Sequence, residues 1–443
     1  MTLPSRLLER LARRPHLARI ARNVAWLSID QLLRMGVGLA VGVWMARYLG
    51  PEQFGSLAYA IAFVGVFAAV GTLGLQPVVV RELVRDRSAA GAILASAFAL
   101  QLSAGVLALL LALLANAWLG SDDALMRTSV ILLSLALPFR ASDTVRYWFE
   151  SQVESRYVVW VENGVFLLVS AARVGLILLE ASLIAFVVAA MVETILVGSG
   201  LLIAYTMRAG PPSWRSVGRL RMRSLLQGSW PFLLAGLSVT LYMRMDVVML
   251  KQMANSYEVG VYSVAVRITE LLYVLPTIFV ASASPAIIES HQASRPMYLA
   301  RMRQLYAAGF WFAAAVSLAL VIFAQPVIDI TFGRNYSDAA AVLAIYVWGS
   351  IAVVHGIISS QHLLVENLPR ISLYRTLIGL GCNFALNTWL IPLYGARGAA
   401  AATVVSYFVA TYALLLFGAT RTHAMFMIAS CFRIRMEARG AAL

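Results

Sequence analysis

Residues 53–80 read QFGSLAYAIAFVGVFAAVGTLGLQPVVV, and none of these side chains carries a formal charge. About 20 apolar residues wound as a helix cross the roughly 30 Å of hydrocarbon in a bilayer. Residues 88–121, 304–328, 376–396 and 398–420 are equally free of formal charge, as is 339–365 with His355 and His362 set aside. The whole chain follows the same pattern. Of 443 residues, 61% are hydrophobic and 13% charged, and the mean hydropathy is +0.80. Soluble domains carry about 25% charged residues, so this composition excludes a soluble enzyme, a secreted disulfide scaffold and a disordered chain. Two cysteines, Cys382 and Cys431, give no disulfide framework. The fold class is all-α and polytopic, with spans at 23–46, 54–80, 90–117, 127–149, 157–179, 182–207, 228–252, 259–284, 305–325, 338–364, 370–393 and 396–420.

The basic residues, 34 arginines and Lys251, set the orientation. Twenty-six fall on one side of these spans and five (Arg47, Arg127, Lys251, Arg334 and Arg397) on the other. By the positive-inside rule both termini are cytoplasmic. The net charge of +14 is therefore read as topology, with no nucleic acid as partner. Residues 1–22 interleave six arginines with leucine and isoleucine. They form a basic amphipathic segment for an anionic membrane surface rather than a cleavable signal.

A basic loop at 208–227, with Pro211 and Pro212, divides the chain into an N-lobe at 23–207 and a C-lobe at 228–420. A basic cytoplasmic tail follows at 421–443. A shift of 205 residues lays Gln53-Phe54-Gly55-Ser56-Leu57 on Glu258-Val259-Gly260-Val261-Tyr262. Two six-helix lobes with an even span count form a parallel pseudo-two-fold repeat, the arrangement that places a transport pathway at a repeat interface.

A charge at the bilayer centre costs about 2.5–3.5 kcal/mol on insertion scales. This chain nevertheless carries Asp30 and Arg34 on span 1, Arg173 on span 5, Glu193 on span 6, Arg244 and Asp246 on span 7, and Arg267 and Glu270 on span 8. At 1.5 Å per residue, Arg34 lies about 16 Å from the cytoplasmic end of its span, and Arg244 and Arg267 each about 12 Å from the outer end. Arg34, Arg244 and Arg267 are the candidate substrate-binding residues. Asp30, Asp246, Glu270 and Glu193 are candidates for ion coupling or for ion pairing. Pairing of Asp30 with Arg34 and of Arg267 with Glu270, as structural glue, is the competing reading. His355 on span 10 reads as a hydrogen-bonded core histidine rather than a proton relay. No GxxxxGK[ST], HExxH or GxSxG motif is present. No enzymatic activity, metal or cofactor is expected.

At the first hairpin, Ala46-Arg47-Tyr48-Leu49-Gly50-Pro51-Glu52-Gln53-Phe54-Gly55 resembles the LGPxxFG turn of the Wzx-like polysaccharide flippases. These form a branch of the multidrug/oligosaccharidyl-lipid/polysaccharide (MOP) exporter superfamily. Asn23-Val24-Ala25-Trp26-Leu27, Gly71-Thr72-Leu73-Gly74-Leu75 and Tyr394-Gly395-Ala396-Arg397-Gly398 agree with that resemblance, which extends over nearly the whole chain. It implies twelve to fourteen helices in two lobes and a central cationic cavity with arginines on the first, seventh or eighth span. It also implies flipping of an undecaprenyl-pyrophosphate-linked oligosaccharide from the cytoplasmic to the outer leaflet for cell-surface polysaccharide biosynthesis. The partners that follow are the lipid-linked oligosaccharide, membrane lipids, a polysaccharide polymerase and glycosyltransferases, and the location is the bacterial inner membrane. Two other readings remain open here: an H+/Na+-coupled multidrug antiporter of the same superfamily, for which Asp30 speaks, and a non-transporting scaffold of a glycan assembly complex. Twelve spans disfavour the lipid II flippase branch.

Overall fold

The computed structural model describes residues 15–119, 123–210 and 217–432, with side chains of the first stretch described from Arg34 onward. The side chains of the basic segment 1–22, the Asp30 carboxylate and the tail beyond 432 lie outside the described residues. Among the described residues all regular structure is helical. In chain order the α-helices are α1 (Pro15–Gly71), α2 (Gln76–Arg85), α3 (Ala90–Trp118), α4 (Ala124–Ser134), α5 (Asp143–Ser151), α6 (Ser155–Leu178), α7 (Leu183–Ala209) and α8 (Arg219–Met253). They continue with α9 (Ser256–Ala293), α10 (Arg295–Ile322), α11 (Ala324–Thr331), α12 (Ala339–Tyr346), α13 (Gly349–Val365), α14 (Pro369–Tyr412) and α15 (Gly418–Cys431).

Ten segments among the described residues are long and apolar enough to cross a membrane. Two of them, Arg34–Arg85 and Pro369–Leu416, run for 52 and 48 residues, about twice a single span. Each is broken at a glycine, Gly50 (φ 70°) in α1 and Gly395 (φ 56°) in α14. Counted on either side of those breaks, ten become the twelve spans read from the sequence. Leu110, Leu114, Trp160 and Leu168 face outward, as helices solvated by lipid require. Hydroxyls inside the spans satisfy themselves on the preceding turn, as Thr269 does on the Ala265 carbonyl and Ser406 on that of Ala402.

The chain divides into two compact units, Met1–Tyr48 with Phe63–Leu237, and Leu49–Ala62 with Ser238–Leu443. The division falls inside α8 rather than in the 208–227 loop. The early turns of α8 pack on α2: Leu225 shares a core with Val78, Val79 and Leu83, and Gly228 sits against Val78. The turn at Gly74 (φ 61°) closes on the same helix, where an added Cβ would stand 2.3 Å from the Leu233 nitrogen.

In the second unit the hairpin motif has a packing role. A Cβ on Gly55 would stand 1.8 Å from the Ser256 carbonyl oxygen, and one on Gly260 would stand 2.0 Å from that of Pro51. The two helices therefore touch backbone to backbone, with Ser56 Oγ bonded to Ser256 Oγ at 3.1 Å. The positions in contact are those the 205-residue shift pairs: Pro51 resumes the helix after Gly50, and Ser256 begins α9 after its Asn255 cap. The Glu258 carboxylate then accepts from the Ala396 nitrogen at 2.7 Å, at the N-terminus of the helical half that resumes after Gly395. A Cβ at Gly395 would stand 2.7 Å from that carboxylate, so both the positive φ and the approach require glycine.

Two segments differ from the sequence reading. Span 4 is not one straight helix; Pro138 lies in a 3-10 turn, Leu137–Ser142, between α4 and α5, because proline cannot donate to the helical ladder. Residues 421–431, counted in the tail, belong to α15, which packs on α10. Apolar residues at 424 and 427 bury one face there.

Candidate functional site

In the first unit, Arg34 donates to Glu162 Oε2 at 3.0 Å, and its guanidinium lies 5.7 Å from the centre of the Phe166 ring. The carboxylate is shared, since Arg146 also pairs with Glu162. Arg146 further reaches Asp143 at 3.6 Å, and Arg140 reaches the same Asp143 at 3.4 Å. Three guanidiniums thus serve two carboxylates, leaving one positive charge in excess among these five side chains. By charge Arg146 sorts with the cytoplasmic arginines, but α5 turns it inward onto Glu162, a carboxylate within span 5 that keeps only 13% of its side-chain surface. Farther along α6 and α7, Arg173 donates to Glu193 at 2.7 Å. This one-to-one pair offers no excess charge.

In the second unit, Arg244 on α8 and Arg267 on α9 both act electrostatically on Glu270, Arg244 more strongly. Arg244 and Glu270 are exposed on the surface of the unit and Arg267 is half-buried. Glu270 forms no ion pair within 4.0 Å among the described residues, so here the charges are held near one another rather than locked. Two cations again share one carboxylate.

Asp246, two residues beyond Arg244 and so on the opposite side of α8, is 3% exposed. Its Oδ2 accepts from the Tyr262 hydroxyl at 2.8 Å and from Thr403 at 2.7 Å. Its Oδ1 accepts from Asn387 Nδ2 at 2.8 Å, and Asn387 also donates to Asn383 Oδ1 at 2.9 Å. The groups named as acting on its charge are all neutral: Thr403, Tyr262, Asn387 and Asn383. Two atoms of the nest, Asn387 Oδ1 and Asn383 Nδ2, are buried without a hydrogen-bond partner. The side chains around Asp246 present oxygens, the donor type that suits a hard monovalent cation. No cluster of three His, Cys, Asp or Glu side chains able to hold a metal occurs among the described residues.

Arg375 lies deeper than the sequence suggests, and His355 is the hydrogen-bonded core histidine expected of it. Arg375, read as flanking span 11, is buried and donates to Ser359 Oγ and Ser360 Oγ, both at 2.7 Å. His355 is fully buried with Nδ1 2.9 Å from the Tyr412 hydroxyl.

The model of the polysaccharide biosynthesis protein family matches residues 20–291, more than half of the chain. A probable low-salt glycan biosynthesis flippase, Agl15 of Haloferax volcanii, is 25% identical over 401 residues, covering 88% of this chain and 82% of its own. The probable flippase AglR of the same organism is 27% identical over 173 residues, 37% of this chain and 35% of its own. Among solved structures, the lipid II flippase MurJ in an inward closed conformation is similar with a TM-score of 0.73 at 14% identity, covering 93% of this chain and 91% of that one. An inward-facing multidrug resistance MATE family transporter of the MOP superfamily gives 0.71 at 16%, covering 92% and 99%. These likenesses show that the fold is that of the MOP transporters. The chain, a polytopic helical protein, is a member of the polysaccharide biosynthesis protein family.

Proposed function

We propose that this protein is a flippase that carries an undecaprenyl-pyrophosphate-linked oligosaccharide from the cytoplasmic to the outer leaflet, by alternating access through a cationic central cavity. The observation that carries this reading is the gathering of guanidinium groups inside membrane-spanning helices of both units, Arg34 and Arg146 on Glu162 and Arg244 and Arg267 about Glu270. A diphosphate bearing polar sugars cannot enter hydrocarbon unaided, and guanidinium groups hold phosphate oxygens in bidentate fashion. Arg34, Arg244 and Arg267 take the diphosphate in this account. The flippases named among the relatives and the family membership support the same reading.

Asp246 is the coupling residue of this account, and the oxygen nest around it takes the coupling cation. Glu193 is assigned to structure, through Arg173. Both termini are placed in the cytoplasm of a bacterial inner membrane, beside glycosyltransferases that make the substrate and a polymerase that receives it.

Purified protein in proteoliposomes tests this reading. Addition of the protein should expose a fluorescently labelled polyprenyl-diphosphate oligosaccharide to a membrane-impermeant quencher at least tenfold faster than in empty vesicles. Cation-dependent efflux of a lipophilic drug, with no movement of the labelled lipid, would instead establish the multidrug antiporter.

A further inference from the structure

Four of the five histidines, His291, His355, His362 and His423, lie in the second unit. The imidazoles of His362 on α13 and His423 on α15 stack face to face, 3.4 Å between centroids and 7° from parallel. Each ring has a tyrosine of α10 in its plane: the Tyr298 hydroxyl is 2.7 Å from His362 Nδ1, and the Tyr306 hydroxyl 2.8 Å from His423 Nε2. At the far end of α15, Cys431 Sγ lies 3.7 Å from His355 Nε2. The C-terminal helix is thus seated through an apolar face, which includes Met427 in the core around Tyr298 and Tyr306, and through polar contacts to two α13 histidines.

This seat is built for neutral imidazoles. Burial of both rings away from water opposes a charge on either one. Two imidazolium rings in face contact would repel strongly in a buried setting. The charged and titratable groups around the stack come from every neighbouring element. Arg295 of α10 acts on both histidines, and Glu366 and His291, themselves 3.2 Å apart, act on His362. Arg375 of α14 acts on Tyr306, and Arg421 of α15 itself is exposed. The last membrane-spanning segment ends at Leu416, so His423 lies outside the spans. Burial first, then His362 and Arg295, push its imidazole from the usual 6.5 down to about 3.

We propose that the His362–His423 stack is a proton-binding site, which fastens the C-terminal helix α15 onto α10 and α13 while empty and releases it when occupied. The sign follows from linkage. The seated imidazole resists a proton and the released one accepts it at its ordinary value. The seat is therefore intact above about pH 6.5 and weakens about tenfold per pH unit as the pH falls from there toward 3. Acidification on the face where α15 lies thereby becomes a conformational signal in the second unit. This device is independent of the transported substrate.

Hydrogen exchange on the full chain in lipid nanodiscs tests it, with rates corrected for the intrinsic pH dependence of amide exchange. Between about pH 6.5 and 4.5, the protection of residues 418–431 should fall on the order of 100-fold, while that of 51–62 holds constant. The His423→Phe variant keeps a flat ring in the stack and has no base. Its α15 should be as protected at about pH 4.5 as at pH 8. If that ring does not seat at pH 8, His362→Phe supplies the same comparison. Wild-type protection that does not change with pH overturns the proposal. So does acid release of equal size in a variant that is fully seated at pH 8.

Discussion

The two units treat their intramembrane arginines differently. In the first, Glu162 is clasped by Arg34 and Arg146 in direct ion pairs, and Arg173 is locked to Glu193. In the second, Arg244 and Arg267 act on Glu270 without an ion pair to it within 4.0 Å, and the deeply buried carboxylate of Asp246 has neutral hydrogen-bond partners. Direct pairing neutralises charge and fixes geometry; loose pairing leaves guanidiniums able to exchange a carboxylate for a phosphate. The comparison separates charges that hold the fold from charges that act on cargo. It assigns Arg34 a mixed part, because its carboxylate is already shared.

Four variants would break or sharpen that contrast. The largest effect is expected at Asp246. Asp246→Asn keeps a side-chain oxygen for Tyr262 and Thr403 but loses the charge that would hold a cation. Transport should fall on the order of 100-fold, with an unfolding midpoint within a few degrees of wild type. Next is Glu162→Gln, which leaves Arg34 and Arg146 facing each other across a neutral amide. Thermal unfolding in detergent should report a loss of about 2 kcal/mol. That is less than a fully buried pair would cost, because Arg146 keeps 36% of its side-chain surface. Glu270→Gln is the counterpart in the second unit. Its stability cost should be under about 0.5 kcal/mol, since no close ion pair is broken. A cost equal to that of Glu162→Gln would erase the distinction between the units. The smallest effect belongs to replacing Arg173 and Glu193 together by Met. Removing both partners of a pair leaves no orphaned charge, so flipping rate and stability should both stay near wild type.

Hydropathy in the sequence was enough to place the spans, because a 20-residue apolar run has few other uses. The glycine breaks were legible too. Gly50-Pro51 and Gly395 stand between apolar runs, and a positive φ there is what glycine supplies. The repeat register was legible at one place, Gly55 on Gly260, where the backbone contact forbids side chains. The ion partners were not. Arg34 reaches Glu162, 128 positions away, and the Asp30 carboxylate on its own helix lies outside the described residues. A window of sequence reports composition along one helix and says nothing of which neighbouring helix presents a carboxylate. For the same reason Arg146 and Arg375 looked like loop residues, although tertiary packing draws both inward. The polar nest around Asp246 was hidden because Asn383, Asn387 and Thr403 are unremarkable in an apolar run until α14 packs beside α8.

The central claim is that guanidinium groups inside the membrane handle the cargo. The most direct measurement is the flipping rate of a labelled polyprenyl-diphosphate oligosaccharide in proteoliposomes carrying Arg34→Gln, Arg244→Gln and Arg267→Gln together. Each glutamine retains hydrogen-bonding capacity and removes the charge. The rate is predicted to drop to that of empty vesicles while the protein elutes as a folded species and unfolds near the wild-type temperature. A triple variant that flips the lipid at the wild-type rate would contradict the account.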